Sequence, residues 1–144
     1  MGKEQTNSRF VFASHSAADT WIARQIARNI EECGAEAFLD EVSVHVGHDF
    51  EEKILEFLDK SHELVVLITP WALDRPYIWA EIGAAWNRRI PIIAILYGIT
   101  STELQERPGT AVFLKKRDLI QLNEIDLFFE QLKIRVGTRD LYKL

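Results

Sequence analysis

One cysteine, Cys33, and one methionine, Met1, occur in 144 residues, alongside seven glycines and four prolines. A single thiol closes no internal disulfide, so a disulfide-stapled secreted scaffold is excluded and a reducing compartment, the cytoplasm, is expected. No apolar run approaches the roughly 20 residues that a membrane helix needs, and residues 1–8 lack the apolar core of a secretion signal. Positive charge is scarce too: 17 Lys and Arg against 22 Asp and Glu give a formal net charge of -5. That balance argues against nonspecific binding of nucleic acid or anionic membrane as the main activity. The basic residues fall in short clusters, Arg88-Arg89 and Lys115-Lys116-Arg117, which read as solvated edges. Repeats and low-complexity stretches are missing as well.

What is present fits one soluble domain, since 47% hydrophobic and 27% charged residues are ordinary globular proportions. Strand-like and helix-like segments alternate. Arg9 to Ala13 reads as a first strand, and Thr20 to Cys33, with Ile22, Ile26 and Ile30 four apart, as an amphipathic helix that Gly34 ends. Ala35 to Leu39 reads as a second strand and Phe50 to Ser61 as a helix with Ile54, Phe57 and Leu58 on one side. Leu64-Val-Val-Leu-Ile68 is apolar throughout, the pattern of a strand buried on both faces and therefore parallel. Pro91 to Tyr97 repeats that pattern. Asp118 to Leu122 is the candidate fifth strand, and Ile125 to Val136 a closing helix with Leu127, Phe128, Leu132 and Val136 inward. Between Thr100 and Arg117 the Pro108-Gly109 turn is readable, and Ala111–Leu114 reads as either a helical turn or a short strand. Five strands with intervening helices imply an α/β, flavodoxin-like, doubly wound parallel sheet with helices on both faces, because parallel strands need right-handed crossover helices. The expected organisation is a flexible segment over 1–8, one domain over 9–136, and a tail or linker start over 137–144.

The residue that demands explanation is Glu81, the one acid in the apolar, aromatic-rich helix pattern within the stretch Trp71 to Trp86. That stretch follows the buried strand directly, and ligands of open α/β sheets bind outside the carboxyl ends of the strands. Tyr77 lies one helical turn before Glu81 on the same face. A helix-surface glutamate near the positive end of the dipole is the plainer reading. His15 reads equally as a phosphate donor or an exposed loop histidine hydrogen-bonded to backbone. Ser14, Ser16 and Asp19 precede a helix, so one of them is expected to cap it, with a phosphate at that helix start as the functional counterpart. Trp21 and Trp86 read as core, and Trp71 as either crevice lining or a cover on the sheet edge. His45, His48 and Asp49 lack the ligand set of a metal site, and none is expected.

Four segments carry a resemblance. Phe12-Ala-Ser-His-Ser-Ala-Ala-Asp19, Phe38-Leu-Asp-Glu-Val-Ser-Val-His-Val-Gly47, Ile68-Thr-Pro-Trp-Ala-Leu-Asp74 and Trp79-Ala-Glu-Ile-Gly-Ala-Ala-Trp86 resemble, in order, the boxes of a bacterial-type Toll/interleukin-receptor (TIR) domain. The resemblance covers about residues 9–136, and the family's fold is the flavodoxin-like one inferred above. TIR domains either assemble signalling complexes or cleave NAD+ at the nicotinamide–ribose bond. For the second group the resemblance implies a catalytic glutamate at Glu81 and an aromatic residue four positions earlier. The family usually has tryptophan there; this chain has Tyr77, with Trp79 two residues on, so either ring is a candidate to stack on the substrate. Ser14 and His15 match the loop after strand one. Asp40 and Gly47 match the loop after strand two that borders the nucleotide, although a turn cap serves equally well for Asp40.

The resemblance thus implies an NAD+ glycohydrolase or cyclase in antiphage defence or stress signalling, with NAD+ as substrate and no cofactor. Its products are nicotinamide with ADP-ribose or a cyclic isomer. Self-association through the 40–49 loop is implied, with other TIR domains or a fused or partner sensor protein as further partners; nucleic acid and membrane are not. Two other classes compete: a noncatalytic TIR–TIR adaptor module, and a nucleoside deoxyribosyltransferase, whose related sheet fold also uses a glutamate at a glycosidic bond. A phosphoacceptor receiver is set aside because strand one ends in Ala13-Ser14-His15 rather than clustered acids. Flavodoxin is set aside because the loop that follows is a poor phosphate cradle.

Overall fold

Leu64, Val66 and Ile68 point into one apolar cluster with Phe12, Leu58, Ile78 and Ile82, while Val65 and Leu67 point into another with Val11, Ile26, Ile30, Phe128 and Leu132. That two-sided burial is why the strand β3 (Glu63–Ile68) carries no polar alternation. The computed structural model describes residues 8–39 and 50–141, so Asp40, Gly47 and the rest of the 40–49 loop lie outside the described residues. Around β3 stand β1 (Phe10–Ser14), β2 (Glu36–Leu39), β4 (Ile92–Leu96) and β5 (Leu119–Gln121). The sheet is parallel throughout, in the order β2-β1-β3-β4-β5. This is the flavodoxin-like arrangement, and its order reverses between β1 and β3, where such folds open a ligand crevice.

Helices cover both faces. Contacts and core membership put α2 (Phe50–Lys60) and α3 (Pro76–Asn87) on one side, and α1 (Thr20–Glu32) and α6 (Ile125–Leu141) on the other. Each fully buried Ile, Leu or Phe of these clusters contributes about 1.5–3 kcal/mol relative to an exposed one. Gly34 ends α1 at φ +99, and a Cβ there would sit 3.2 Å from Val136 Cγ1 on α6. Glycine is therefore required both by backbone conformation and by the approach of the closing helix.

Four details differ from the sequence-based expectation. Leu127 is 54% exposed, because α6 turns Phe128 and Leu132 to the sheet instead. Phe57 is 36% exposed, yet its ring stacks on Phe38 and meets Phe12 edge-on, covering the sheet margin rather than filling the core. Trp21 and Trp86 are 71% and 50% exposed, so neither is core. Between Thr100 and Arg117 stand two short helices, α4 (Ser101–Gln105), which was not read, and α5 (Thr110–Phe113), which is the helical turn rather than the short strand of the two readings for Ala111–Leu114. The first opens on a capping box in which Glu103 N–H donates to Thr100 Oγ1 at 3.1 Å and Thr100 N–H to Glu103 Oε1 at 2.9 Å. Thr-x-x-Glu was the available signal for it.

Cys33 packs between α1 and α6, its Sγ donating to the Phe129 carbonyl at 3.6 Å. Burial pushes its thiol pKa up, with Glu32 adding to the rise and Lys133 opposing it. Alkylation at pH 7–8 is therefore expected to be much slower than for a free thiol and to accelerate on denaturation. A reagent titration in the presence and absence of urea checks this, and equal rates would contradict it.

Candidate functional site

Helix α3 begins at Pro76, which occupies the first helical position after the extended Arg75 (φ -91, ψ 110), as the residue before proline prefers. The helix then presents two adjoining stripes at helical spacing. Ile78, Glu81, Ile82 and Ala85 are its buried positions. Tyr77, Ala80, Glu81 and Ala84 line a cavity of about 510 Å³, closed by Pro76 and by Ile54 and Leu55 of α2. Glu81 alone belongs to both stripes, which places a carboxylate, 2% exposed, where the core meets the cavity. The helix-surface reading of this glutamate does not hold. The cavity lies within the roughly 300–1,000 Å³ of small-molecule sites, and its lining is apolar apart from Tyr77 and Glu81.

The turn after β1 meets this helix twice. Ser14, the last residue of β1 and in register with Val66 of β3, donates its hydroxyl to Glu81 Oε1. The Tyr77 hydroxyl donates to the His15 carbonyl at 3.0 Å. Ser14, His15 and Ser16 are all buried, so an exposed loop histidine is also ruled out. A hydroxyl donated to a carboxylate fixes the orientation of the acceptor.

Among the site residues expected from sequence, the structure brings together Ser14, His15, Tyr77 and Glu81. Trp79 is turned away from the cavity lining; its indole N–H donates to the Leu73 carbonyl at 2.8 Å and its ring packs against the core beneath α3. Trp71 is 58% exposed after β3 and is not part of that lining. Asp40 and Gly47 fall in the loop outside the described residues. The expected helix cap is different as well: Asp19 holds the cap position of α1 but makes no side-chain capping bond, and neither does Ser16 at the short turn before it. The Asp19 carboxylate faces inward instead, accepting from Ser16 Oγ at 2.8 Å and from Thr69 Oγ1 at 2.6 Å. Thr69, directly after β3, is a site neighbour that sequence reasoning missed, as were Ala80 and Ala84, although their spacing from Tyr77 was readable.

A larger cavity, of about 750 Å³, runs along β5 and α6 past Arg9, Glu63 and Arg135. Size does not decide between the two. The carboxylate in the larger one is bound in a structural ion pair with two guanidinium groups at the start of β3, whereas Glu81 lines its cavity at the crevice end of the sheet, oriented by Ser14. Among the described residues no group of His, Cys, Asp and Glu is arranged to hold a metal ion, and no helix is long and apolar enough to cross a membrane.

Comparison with known proteins bears on the family. A probable 2' cyclic ADP-D-ribose synthase of Brachypodium distachyon, BdTIR, is 29% identical over 96 residues, 65% of this chain and 43% of the relative. The chain thus spans less than half the length of that relative. The TIR domain of the Toll-related receptor TRR-2 of Hydra magnipapillata superposes with a TM-score of 0.61 at 18% identity, covering 92% of this chain and 97% of that one. A 2-deoxyribosyltransferase of Bacillus psychrosaccharolyticus superposes at 0.54 with 12% identity, covering 67% and 80%. These two likenesses show a shared fold. The family model for the TIR domain matches residues 11–133, from the middle of β1 well into α6. With that match spanning sheet, crevice and site, the chain belongs to the TIR domain family.

Proposed function

We propose that this TIR domain cleaves the nicotinamide–ribose bond of NAD+, with Glu81 as the catalytic carboxylate. The observation that carries the reading is the placement of Glu81: buried, oriented by Ser14, and lining a cavity between α2 and α3. Most glycosidases need two acids because the departing alcohol must be protonated while the oxocarbenium-like centre is stabilised. Nicotinamide in NAD+ is already a cation and departs neutral when the C–N bond electrons move onto its ring nitrogen. One carboxylate therefore suffices, stabilising the positive charge that develops on the ribose. Water then adds at the anomeric carbon and loses a proton, giving ADP-ribose; attack by a hydroxyl elsewhere in the same molecule gives a cyclic isomer. The apolar walls supplied by Ile54, Leu55, Ala80 and Ala84 strengthen that electrostatic contact by excluding water. Tyr77 is the ring on the cavity wall and the candidate to stack on substrate. The cyclic ADP-D-ribose synthase relative supports this chemistry, and defence or stress signalling is the setting that fits it.

Three exposed tryptophans, Trp21, Trp71 and Trp86, favour a second reading as an interaction module. The experiment is incubation of the purified chain with NAD+, following nicotinamide by chromatography, beside a parallel arm with a deoxynucleoside and a free base. Nicotinamide release is expected, with a specific activity that rises with protein concentration because self-association through the 40–49 loop completes the site. Partner binding without turnover at high concentration would favour the module, and base exchange without NAD+ cleavage the transferase. A specific activity flat across a wide concentration range would count against activation by clustering.

A further inference from the structure

Asp19 is 4% exposed at the start of α1, and its carboxylate makes no capping bond to the helix it precedes. Capping through the side chain would satisfy an orphan N–H, yet no such bond is made. Burying an acid in this way has a cost that must be matched by its partners. Those partners are the hydroxyls of Ser16, in the turn after β1, and Thr69, at the end of β3, both fully buried and both donating to the same oxygen, Oδ2. Thr69 in turn accepts the Ala72 N–H at 3.3 Å, tying the carboxylate to the turn that leads into α3. Three consecutive residues of the β1 turn are thus fixed: Ser14 to Glu81, the His15 carbonyl to Tyr77, and Ser16 to Asp19. The first two ties hold the groups at the cavity. The third holds the turn itself against the switch point of the sheet.

We propose that Asp19 is a positioning residue: by gathering the Ser16 and Thr69 hydroxyls it locks the β1 turn in the one place from which Ser14 orients the Glu81 carboxylate and His15 anchors Tyr77. The inference rests on the NAD+-cleaving reading for its consequence, but the lock itself is a separate, testable arrangement. Geometry makes the role specific. Both donors share one acceptor oxygen, so an asparagine whose amide oxygen takes that position keeps the lock without the charge, whereas alanine removes it. The threonine hydroxyl is equally separable, since serine keeps it and valine does not.

The test compares wild type, Asp19→Ala, Asp19→Asn, Thr69→Val and Thr69→Ser. Each is matched for folded fraction by circular dichroism and assayed for kcat and KM on NAD+. Each is also followed by hydrogen exchange over the segment 13–20. Misplacing a reacting group by about 1 Å costs on the order of 100-fold, so Asp19→Ala is expected to lose about that much in kcat with KM little changed. Thr69→Val should fall between Asp19→Ala and wild type, and Asp19→Asn and Thr69→Ser should recover most of the rate. Exchange in the segment should accelerate in Asp19→Ala and Thr69→Val only. A residue that merely stabilised the fold would lower melting temperature and folded fraction without the kcat-against-KM split. Wild-type kcat in folded Asp19→Ala, or an Asp19→Asn as impaired as Asp19→Ala, would overturn the proposal. If no variant, wild type included, releases nicotinamide, the enzymatic reading fails, and the exchange pattern alone then decides the lock: unchanged exchange in Asp19→Ala overturns it.

Discussion

Replacing Glu81 by alanine is expected to remove nicotinamide release by at least about 10²–10³-fold, the range seen when one preorganised electrostatic partner of a transition state is deleted. Glu81→Gln is the sharper variant, because it keeps the volume and an oxygen that accepts from Ser14 while discarding the charge. If the carboxylate stabilises an oxocarbenium-like ribose, both variants lose turnover alike; if the side chain only packs, Gln retains it. Stability is expected to move the other way. Ile78, Ile82 and Ala85 share the buried stripe of α3 with position 81, and an acid placed among them is a local cost to stability. The Gln variant should therefore melt at or above the wild-type temperature. Turnover by Glu81→Gln near the wild-type rate would remove the catalytic assignment.

The place of Glu81 at the crevice end of the sheet was legible, because its helix follows a doubly buried strand and Tyr77 stands one turn earlier on the same face. Its burial was not, since the residues alone read it as a helix-surface glutamate, whereas it is 2% exposed. What pairs with Glu81 was not legible, since Ser14 lies 67 positions away and only strand register brings the two together. The same limit hid the Asp19–Thr69 contact, 50 positions apart. Three hydroxyl or carboxyl residues before a helix read as caps, because capping is the local use of such side chains; tertiary contacts overrode it. Tryptophan misled in the opposite direction. Large rings are expected inside, yet Trp21 and Trp86 sit on the solvent sides of helices whose inward stripes are filled by Ile26 and Ile30 and by Ile82 and Ala85. Likewise Leu127 loses its inward place to its neighbour Phe128, the larger apolar group.

Glu63 was invisible for a related reason: a polar residue bounding an apolar run reads as the strand's end, whereas here it is the first residue of β3 and is fully buried. Its Oε2 accepts from Arg9 Nε at 2.5 Å, and Arg135 of α6 forks onto both oxygens at 3.1 and 2.9 Å. Arg135 also lies over the Phe128 ring, 5.8 Å from its centroid. This joins the residue before the first strand, the central strand and the last helix through one carboxylate. Glu63→Ala is expected to destabilise the domain by about 3 kcal/mol, the low end of the ~3–5 kcal/mol for breaking a buried ion pair. The low end applies because the Arg135 side chain is 33% exposed and can turn to water, while Arg9, at 13%, is less able to. Arg9→Met should cost less, since the two-pronged Arg135 contact still neutralises Glu63. Urea denaturation of the three proteins checks the order, and a Glu63→Ala change under about 1 kcal/mol would contradict the role. The folded fraction of Glu63→Ala should keep its turnover, because Glu63 stands at the start of β3 and the Glu81 cavity beyond its other end. Two buried glutamates on adjacent elements thus make opposite predictions: replacing the one met by two guanidinium groups costs the fold, and replacing the one that Ser14 orients beside the cavity costs turnover.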